Sequence, residues 1–198
     1  MKVLKFGGAS VANAENISKV IKILENESKK YKIAVVVSAL GDTTDMLIEA
    51  GELATAKDEN YLEVFQQIAD RHNNIVEGLI KGQKKQTVLK QVNSKLEELK
   101  QILQGIYLIN EFSNKTIDKI VSFGELLSSY IISEALEQAL QNSSLKDSRE
   151  LILTDSTFTN AIVKTKETST NISTFFKKNK DKVVVLPGFV SRNKNNDT

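Results

Sequence analysis

The sequence predicts an α/β protein built on a mainly parallel sheet. Three observations carry the prediction. A strand, a glycine turn, a helix and a second strand follow one another at the start of the chain; a long proline-free middle section repeats its apolar residues at helical spacing; and a run of valines just before the only proline reads as a further buried strand. At 198 residues, with 40% hydrophobic and 26% charged composition, the chain can bury one sizeable core.

Val3-Leu4-Lys5-Phe6 is the first strand, short and buried. Ile17, Val20, Ile21 and Leu24 fall on one face of a helix that begins after Asn13, and Ile33 to Ser38 is the second strand. A helical crossover returns the chain to the same edge, so the two strands pair in parallel. Between Thr43 and Gln141 the apolar residues recur at three and four, as in Leu62, Phe65, Ile68, Ala69 and again in Leu96, Leu99, Ile102, Leu103, Ile106. Breaks at Lys57 to Asn60, Gly82 to Gln86 and Asn110 to Asn114 divide this stretch into about four helices. The third strand is read at Leu151-Ile152-Leu153-Thr154, entered from the polar stretch Asn142 to Glu150. Thr168 to Lys178 follows as an amphipathic helix, and Val183-Val184-Val185-Leu186 as a buried strand ending in Pro187 and Gly188. The polar tract Ser191 to Thr198 has the composition of a hairpin loop, whose return strand would lie past the last residue.

Composition excludes several classes of function. The formal charge of +2 is spread over scattered lysines, with few arginines and 4 tyrosines, so no basic face with interleaved aromatics points to nucleic acid. The longest apolar runs, Val35-Val36-Val37 and Val183 to Leu186, are strand-sized and far short of the roughly 18 residues a membrane helix needs. Met1-Lys2-Val3-Leu4 runs straight into the glycine turn, without the apolar segment of a secretory signal. With no cysteine there are no disulfides and no thiolate chemistry, which suits a reducing cytoplasm.

Three constellations can carry chemistry, and each has a plainer alternative. Gly7 and Gly8, between a buried strand and a helix, let the backbone approach an anion, with Lys5 adding a full charge, although a Gly-Gly pair there is more often a plain tight turn. The pair matches neither the GxGxxG fingerprint nor a Walker sequence. Ser38-Ala39-Leu40-Gly41-Asp42-Thr43-Thr44-Asp45 follows the second strand, where open α/β sheets place their ligands, while Asp42 and Thr43 suit a helix N-cap. Glu125, in Val121-Ser122-Phe123-Gly124-Glu125-Leu126-Leu127-Ser128, is an acid set in an apolar helical stretch; a solvated helix face is its bland reading. His72, the single histidine, sits beside Arg71 and Asn73 and reads as a surface residue.

Taken together, Lys5-Phe6-Gly7-Gly8-Ala9-Ser10-Val11-Ala12, the Ser38-Ala39 turn with Thr44, and Ser122-Phe123-Gly124-Glu125 resemble the aspartate kinases of the amino-acid kinase family. The family usually carries threonine where this chain has Ala9. Asp147-Ser148-Arg149-Glu150 and Phe158 to Ala161 match more loosely, and Arg149 is as well suited to fixing its loop as to touching a ligand. Val11 to Glu15 and Gly105-Ile106-Tyr107-Leu108 look most like the bifunctional aspartokinase and homoserine dehydrogenase subgroup.

The resemblance implies the three-layer amino-acid kinase (carbamate kinase-like) fold with a long helical insertion. It further implies that residues 1–198 form its N-terminal, aspartate-binding lobe, cut before the nucleotide-binding lobe and the arginine that meets the substrate α-carboxylate. Lys5 would be catalytic, neutralising the transferring phosphoryl group, with Lys5, Gly7, Gly8 and Ser10 holding phosphate oxygens of ATP. Ser38, Thr44 and Glu125 would hold L-aspartate, Glu125 at its α-ammonium. Magnesium would enter with ATP, bound by no residue of this chain, and no metal ligand is assigned. The implied reaction makes 4-phospho-L-aspartate in the cytoplasm, at the head of lysine, threonine and methionine synthesis, in a homo-oligomer without nucleic-acid or membrane partners; the lobe alone would be inactive. Aspartate's β-carboxylate is ionised at neutral pH and needs no general base. Rival expectations are another carboxylate or carbamate kinase of the same fold, against which the long helical section argues, and a non-catalytic binding or assembly module.

Overall fold

In the computed structural model, which describes residues 1–198, β1 (Lys2–Phe6) and β2 (Ile33–Val37) pair in parallel with Lys5 opposite Val36, joined by α1 (Ala14–Ser28). Asn13 caps that helix by accepting from the Asn16 amide at 2.9 Å, and Ile17, Val20, Ile21 and Leu24 are its buried face. The proline-free section is four helices: α2 (Thr43–Thr55), α3 (Tyr61–Leu79), α4 (Lys84–Ile109) and α5 (Asn114–Ala139). Their breaks fall where the sequence placed them, at left-handed Lys57, Gly82 and Asn110. Asn110 ends α4 with its amide donating to the Ile106 carbonyl, and Ser113 caps α5 by accepting from Thr116.

The third strand is not Leu151 to Thr154. β3 (Ser143–Leu145) lies within the stretch read as polar linker and pairs in parallel with β4 (Val183–Pro187), completing a four-stranded parallel sheet in the order β1-β2-β4-β3. An edge position lets Ser143, Ser144 and Leu145 remain partly solvated, so pairing rather than apolar pattern decides this strand. Leu151 instead follows a short 3-10 turn, Ser148–Glu150, and packs under the sheet with Ala34, Val184 and Leu186. Leu153 and Thr154 make only isolated bridges, to Arg192 and Val163. α6 (Thr165–Lys178) starts earlier than the apolar pattern suggests.

The sheet is covered on both faces. Leu4, Phe6, Val35, Val37, Val183 and Val185 meet the helical layer, and the opposite face receives Phe175 and Phe176 of α6. That is the expected three-layer arrangement. His72, read as a surface residue, is fully buried in α3, because Ile68, Ile75 and Val76 lie three and four positions away on the same buried stripe. Its Nδ1 is 2.7 Å from the Ile68 carbonyl and its Nε2 has no partner. Burial is the largest cause of a pKa lowered to about 4. No helix is long and apolar enough to cross a membrane.

Candidate functional site at the carboxyl edge of the sheet

Three turns meet beyond the ends of β1, β2 and β4, held together by backbone hydrogen bonds. The Ser38 amide donates to the Phe6 carbonyl (3.1 Å), the Gly41 amide to the Gly8 carbonyl (3.2 Å) and the Gly188 amide to the Val37 carbonyl (2.8 Å). A Cβ on Gly8 would lie 2.6 Å from the Gly41 oxygen, so the first two turns can touch only if residue 8 has no side chain. Gly7 to Ser10 form a tight turn, with the Ser10 amide donating to the Gly7 carbonyl at 2.9 Å.

Helix α5 closes on the second turn just as tightly. A Cβ on Gly124 would sit 2.8 Å from that of Ala39, and the Ser128 hydroxyl donates to the Ser38 carbonyl at 2.7 Å. This contact carries Glu125 into the interior, where it is only 6% exposed. Burial pushes its carboxyl above the usual carboxylate range, against the opposing pull of the Ala39 backbone amide. Glu125 is therefore not on a solvated helix face.

The second turn is braced from outside by Arg71 of α3. Its Nη1 donates to the Leu40 carbonyl (3.1 Å) and pairs with the Asp42 carboxylate, whose pKa it lowers. Asp42 and Thr43 do occupy the start of α2, but Asp42 makes no capping bond; Thr43 is buried and donates to Leu40 at 2.5 Å. Arg149 grips Asp147 through Nε (3.1 Å) and Nη2 (2.7 Å), which fixes its loop.

Ser38, Thr44 and Glu125 line one cavity of about 770 Å³. Its other walls are Asp118, Val121 and Ser122 of α5, the segment from Thr154 to Val163, and the chain from Phe189 to Thr198. Lys5, Gly7, Gly8 and Ser10 are not among the lining residues; Lys5 stands beside the mouth, its Nζ 5.3 Å from the ring centroid of Phe189. Asp118, Asp155 and Asp197 were not singled out from sequence. Asp118 had a signal available: it precedes Glu125 by seven positions, two helical turns, and so shares its face. The lining carries the carboxylates Asp118, Glu125, Asp155 and Asp197 and no lysine or arginine. Asp197 is compensated by Lys115 at 2.6 Å from outside the wall. No three His, Asp or Glu side chains converge as a metal site.

A model of the amino acid kinase family matches residues 1–198. The chain belongs to that family. Among curated relatives, the chloroplastic bifunctional aspartokinase/homoserine dehydrogenase 2 of Arabidopsis thaliana is 26% identical over 190 residues, 96% of this chain and 21% of the relative. The chloroplastic aspartokinase 1 of the same plant is 33% identical over 162 residues, 80% of this chain and 27% of the relative. This amino acid kinase chain thus spans between a fifth and a third of the length of those relatives. Among solved structures, E. coli aspartokinase III, crystallised with lysine and aspartate and also with aspartate and ADP, superposes with a TM-score of 0.86 at 23% identity, covering 98% of this chain and 42% of that one. The resemblance read from the sequence motifs and the fold it implied both hold.

Proposed function

We propose that residues 1–198 are the aspartate-binding lobe of an aspartate kinase, the enzyme that moves the γ-phosphoryl group of ATP to the β-carboxylate of L-aspartate. The observation that carries this reading is the convergence of Ser38, Thr44 and the buried Glu125 on one cavity at the carboxyl edge of a parallel sheet. Aspartate bound in the crystallised aspartokinase III supports the choice of substrate, and ADP in one of its complexes supports ATP as phosphoryl donor.

In this reading Glu125 receives the α-ammonium in a water-poor site, where a charge-assisted contact is strong. The hydroxyls of Ser38 and Thr44 orient the substrate. The β-carboxylate is already a nucleophile, so the task left is to relieve its repulsion from the incoming phosphates and align it. In this reading Lys5, exposed at the same edge of the sheet, the backbone amides of Gly7 and Gly8 and the Ser10 hydroxyl would receive the γ-phosphate. No lysine or arginine lines the cavity, and in this reading positive charge for the substrate carboxylates comes from residues outside this chain, together with the nucleotide lobe. The chain alone therefore binds aspartate weakly and turns over no ATP. The product, 4-phospho-L-aspartate, would feed lysine, threonine and methionine synthesis, Mg²⁺ would arrive with the nucleotide, and the enzyme would work in the cytoplasm as a homo-oligomer.

Isothermal titration of the chain with L-aspartate, with ATP-magnesium in a parallel cell and Glu125→Ala as control, tests the assignment. Heat from aspartate that disappears in the variant, with none from ATP, is the expected result. Clear ATP binding without aspartate binding would overturn it.

A further inference from the structure

We propose that Asp118 is a positioning residue that latches the segment Asp155 to Val163 across the substrate cavity; the proposal rests on reading that cavity as the substrate site. The segment is a closed loop. At its base Thr154 bridges Val163 in antiparallel fashion, and the Asp155 amide donates to the Ile162 carbonyl at 3.0 Å. The Asp155 carboxylate then accepts from the amides of Ile162 (3.0 Å) and Thr157 (3.2 Å) and from the Thr157 hydroxyl (2.9 Å). These bonds give the loop its shape without tying it to the rest of the protein.

Packing ties it down chiefly at Phe158, half-buried with the Lys115 ammonium of α5 5.8 Å from its ring centroid. Residues 159–163 are all exposed, Ile162 to 67%. Two polar contacts reach out of the loop: the Asn193 side-chain amide donates to the Ser156 hydroxyl at 3.1 Å, and the Thr159 backbone amide donates to the Asp118 carboxylate at 2.8 Å. The second is at the tip. Thr159 has φ 66°, a left-handed conformation that a β-branched residue adopts only under constraint, so a charged acceptor facing its amide supplies what the residue itself disfavours. Phe158, Asn160 and Ala161, on either side of that amide, line the cavity.

The helix makes the arrangement economical. Asp118 and Glu125 lie on one face of α5, roughly 10 Å apart along its axis, so the rotation that aims Glu125 into the cavity also aims Asp118 at the loop tip. A single helix thereby sets both the floor of the cavity and the reach of its cover.

The test combines amide hydrogen exchange with aspartate titration in wild type, Asp118→Ala, Asp118→Asn, and Asp118→Ala paired with Thr159→Gly. Loss of a charge-assisted bond should raise exchange over residues 155–163 about tenfold in Asp118→Ala, leaving α5 protected, and weaken L-aspartate by a similar factor. Asp118→Asn keeps a side-chain oxygen and should fall between. Glycine at 159 takes the left-handed conformation freely, so the paired variant should recover part of both losses, which a merely local packing defect at Asp118 would not allow. Unchanged loop exchange in Asp118→Ala, or no recovery with Thr159→Gly, would overturn the latch. If the wild-type chain takes up no aspartate, the substrate reading fails while the exchange data still decide the latch.

Discussion

His72 offers the most direct physical test of this fold. Its imidazole is fully buried on α3 with one nitrogen unpartnered, and its pKa falls from 6.5 to about 4, chiefly through burial; the Ile68 carbonyl pulls upward and Arg71 adds to the lowering. Between those values the unfolded chain takes a proton that the folded chain refuses. Stability from this site is therefore complete above pH 6.5 and declines as pH falls toward 4. The full shift corresponds to about 3 kcal/mol, of which about 2 kcal/mol is lost by pH ~5. Asp42 and Asp147, with lowered pKa values, also lose stability in acid, and Glu125, with a raised one, acts in the opposite sense. A His72→Leu variant, similar in volume and unable to titrate, isolates the histidine. Urea unfolding near pH 7 and near pH 5 should show wild type losing about 2 kcal/mol more than the variant, or roughly 4–8 °C in melting temperature. Equal losses in the two proteins, within about 0.5 kcal/mol, would refute the argument that burial dominates this residue.

Gly8→Ala would force the first and second turns apart, since the new methyl would meet the Gly41 oxygen at 2.6 Å; a cost of about 1–3 kcal/mol should appear as a lowered melting temperature. Arg71→Ala removes the brace on Leu40 and Asp42, at about 1–2 kcal/mol by urea unfolding, and under the proposed function it weakens aspartate binding by loosening the turn that carries Ser38 and Thr44. Under the same proposal, Glu125→Gln should lower aspartate affinity about 10- to 100-fold by titration. Because burial raises the Glu125 pKa, wild-type affinity should fall on acidification at a higher pH than a solvated carboxylate would dictate, and the Gln variant should lack that step.

The elements with a strong apolar rhythm were legible in the sequence. Ile17 to Leu24, the valines of β2 and β4, and the helices separated at Lys57, Gly82 and Asn110 needed only periodicity and breakers. β3 was not legible, because Ser143-Ser144-Leu145 has no strand pattern of its own and forms only by pairing with β4, while Leu151 to Thr154 carries the pattern without the pairing. His72 departs from its polar chain neighbours Arg71 and Asn73 because burial follows the helix face it shares with Ile68 and Ile75. Within the site, the motif residues Ser38, Thr44 and Glu125 share a cavity, and Lys5, Gly7, Gly8 and Ser10 lie outside it at the same edge. The loop from Asp155 to Val163 and its tie to Asp118 depend on a contact between residues 41 positions apart, which no local pattern encodes.

The wall of carboxylates without a cation bears on how a guest is turned as it enters. Under the proposed function, an amino acid with one ammonium and two carboxylates would meet a potential that draws the amine toward Glu125 and leaves both acids facing the rim, so orientation would precede any specific bond. A dicarboxylate of the same length but without the amine would meet the acids of that wall with no ammonium of its own to offset them. Rejection of such a look-alike would then come from repulsion rather than from a missing contact, and would relax as added salt screens the outer acids.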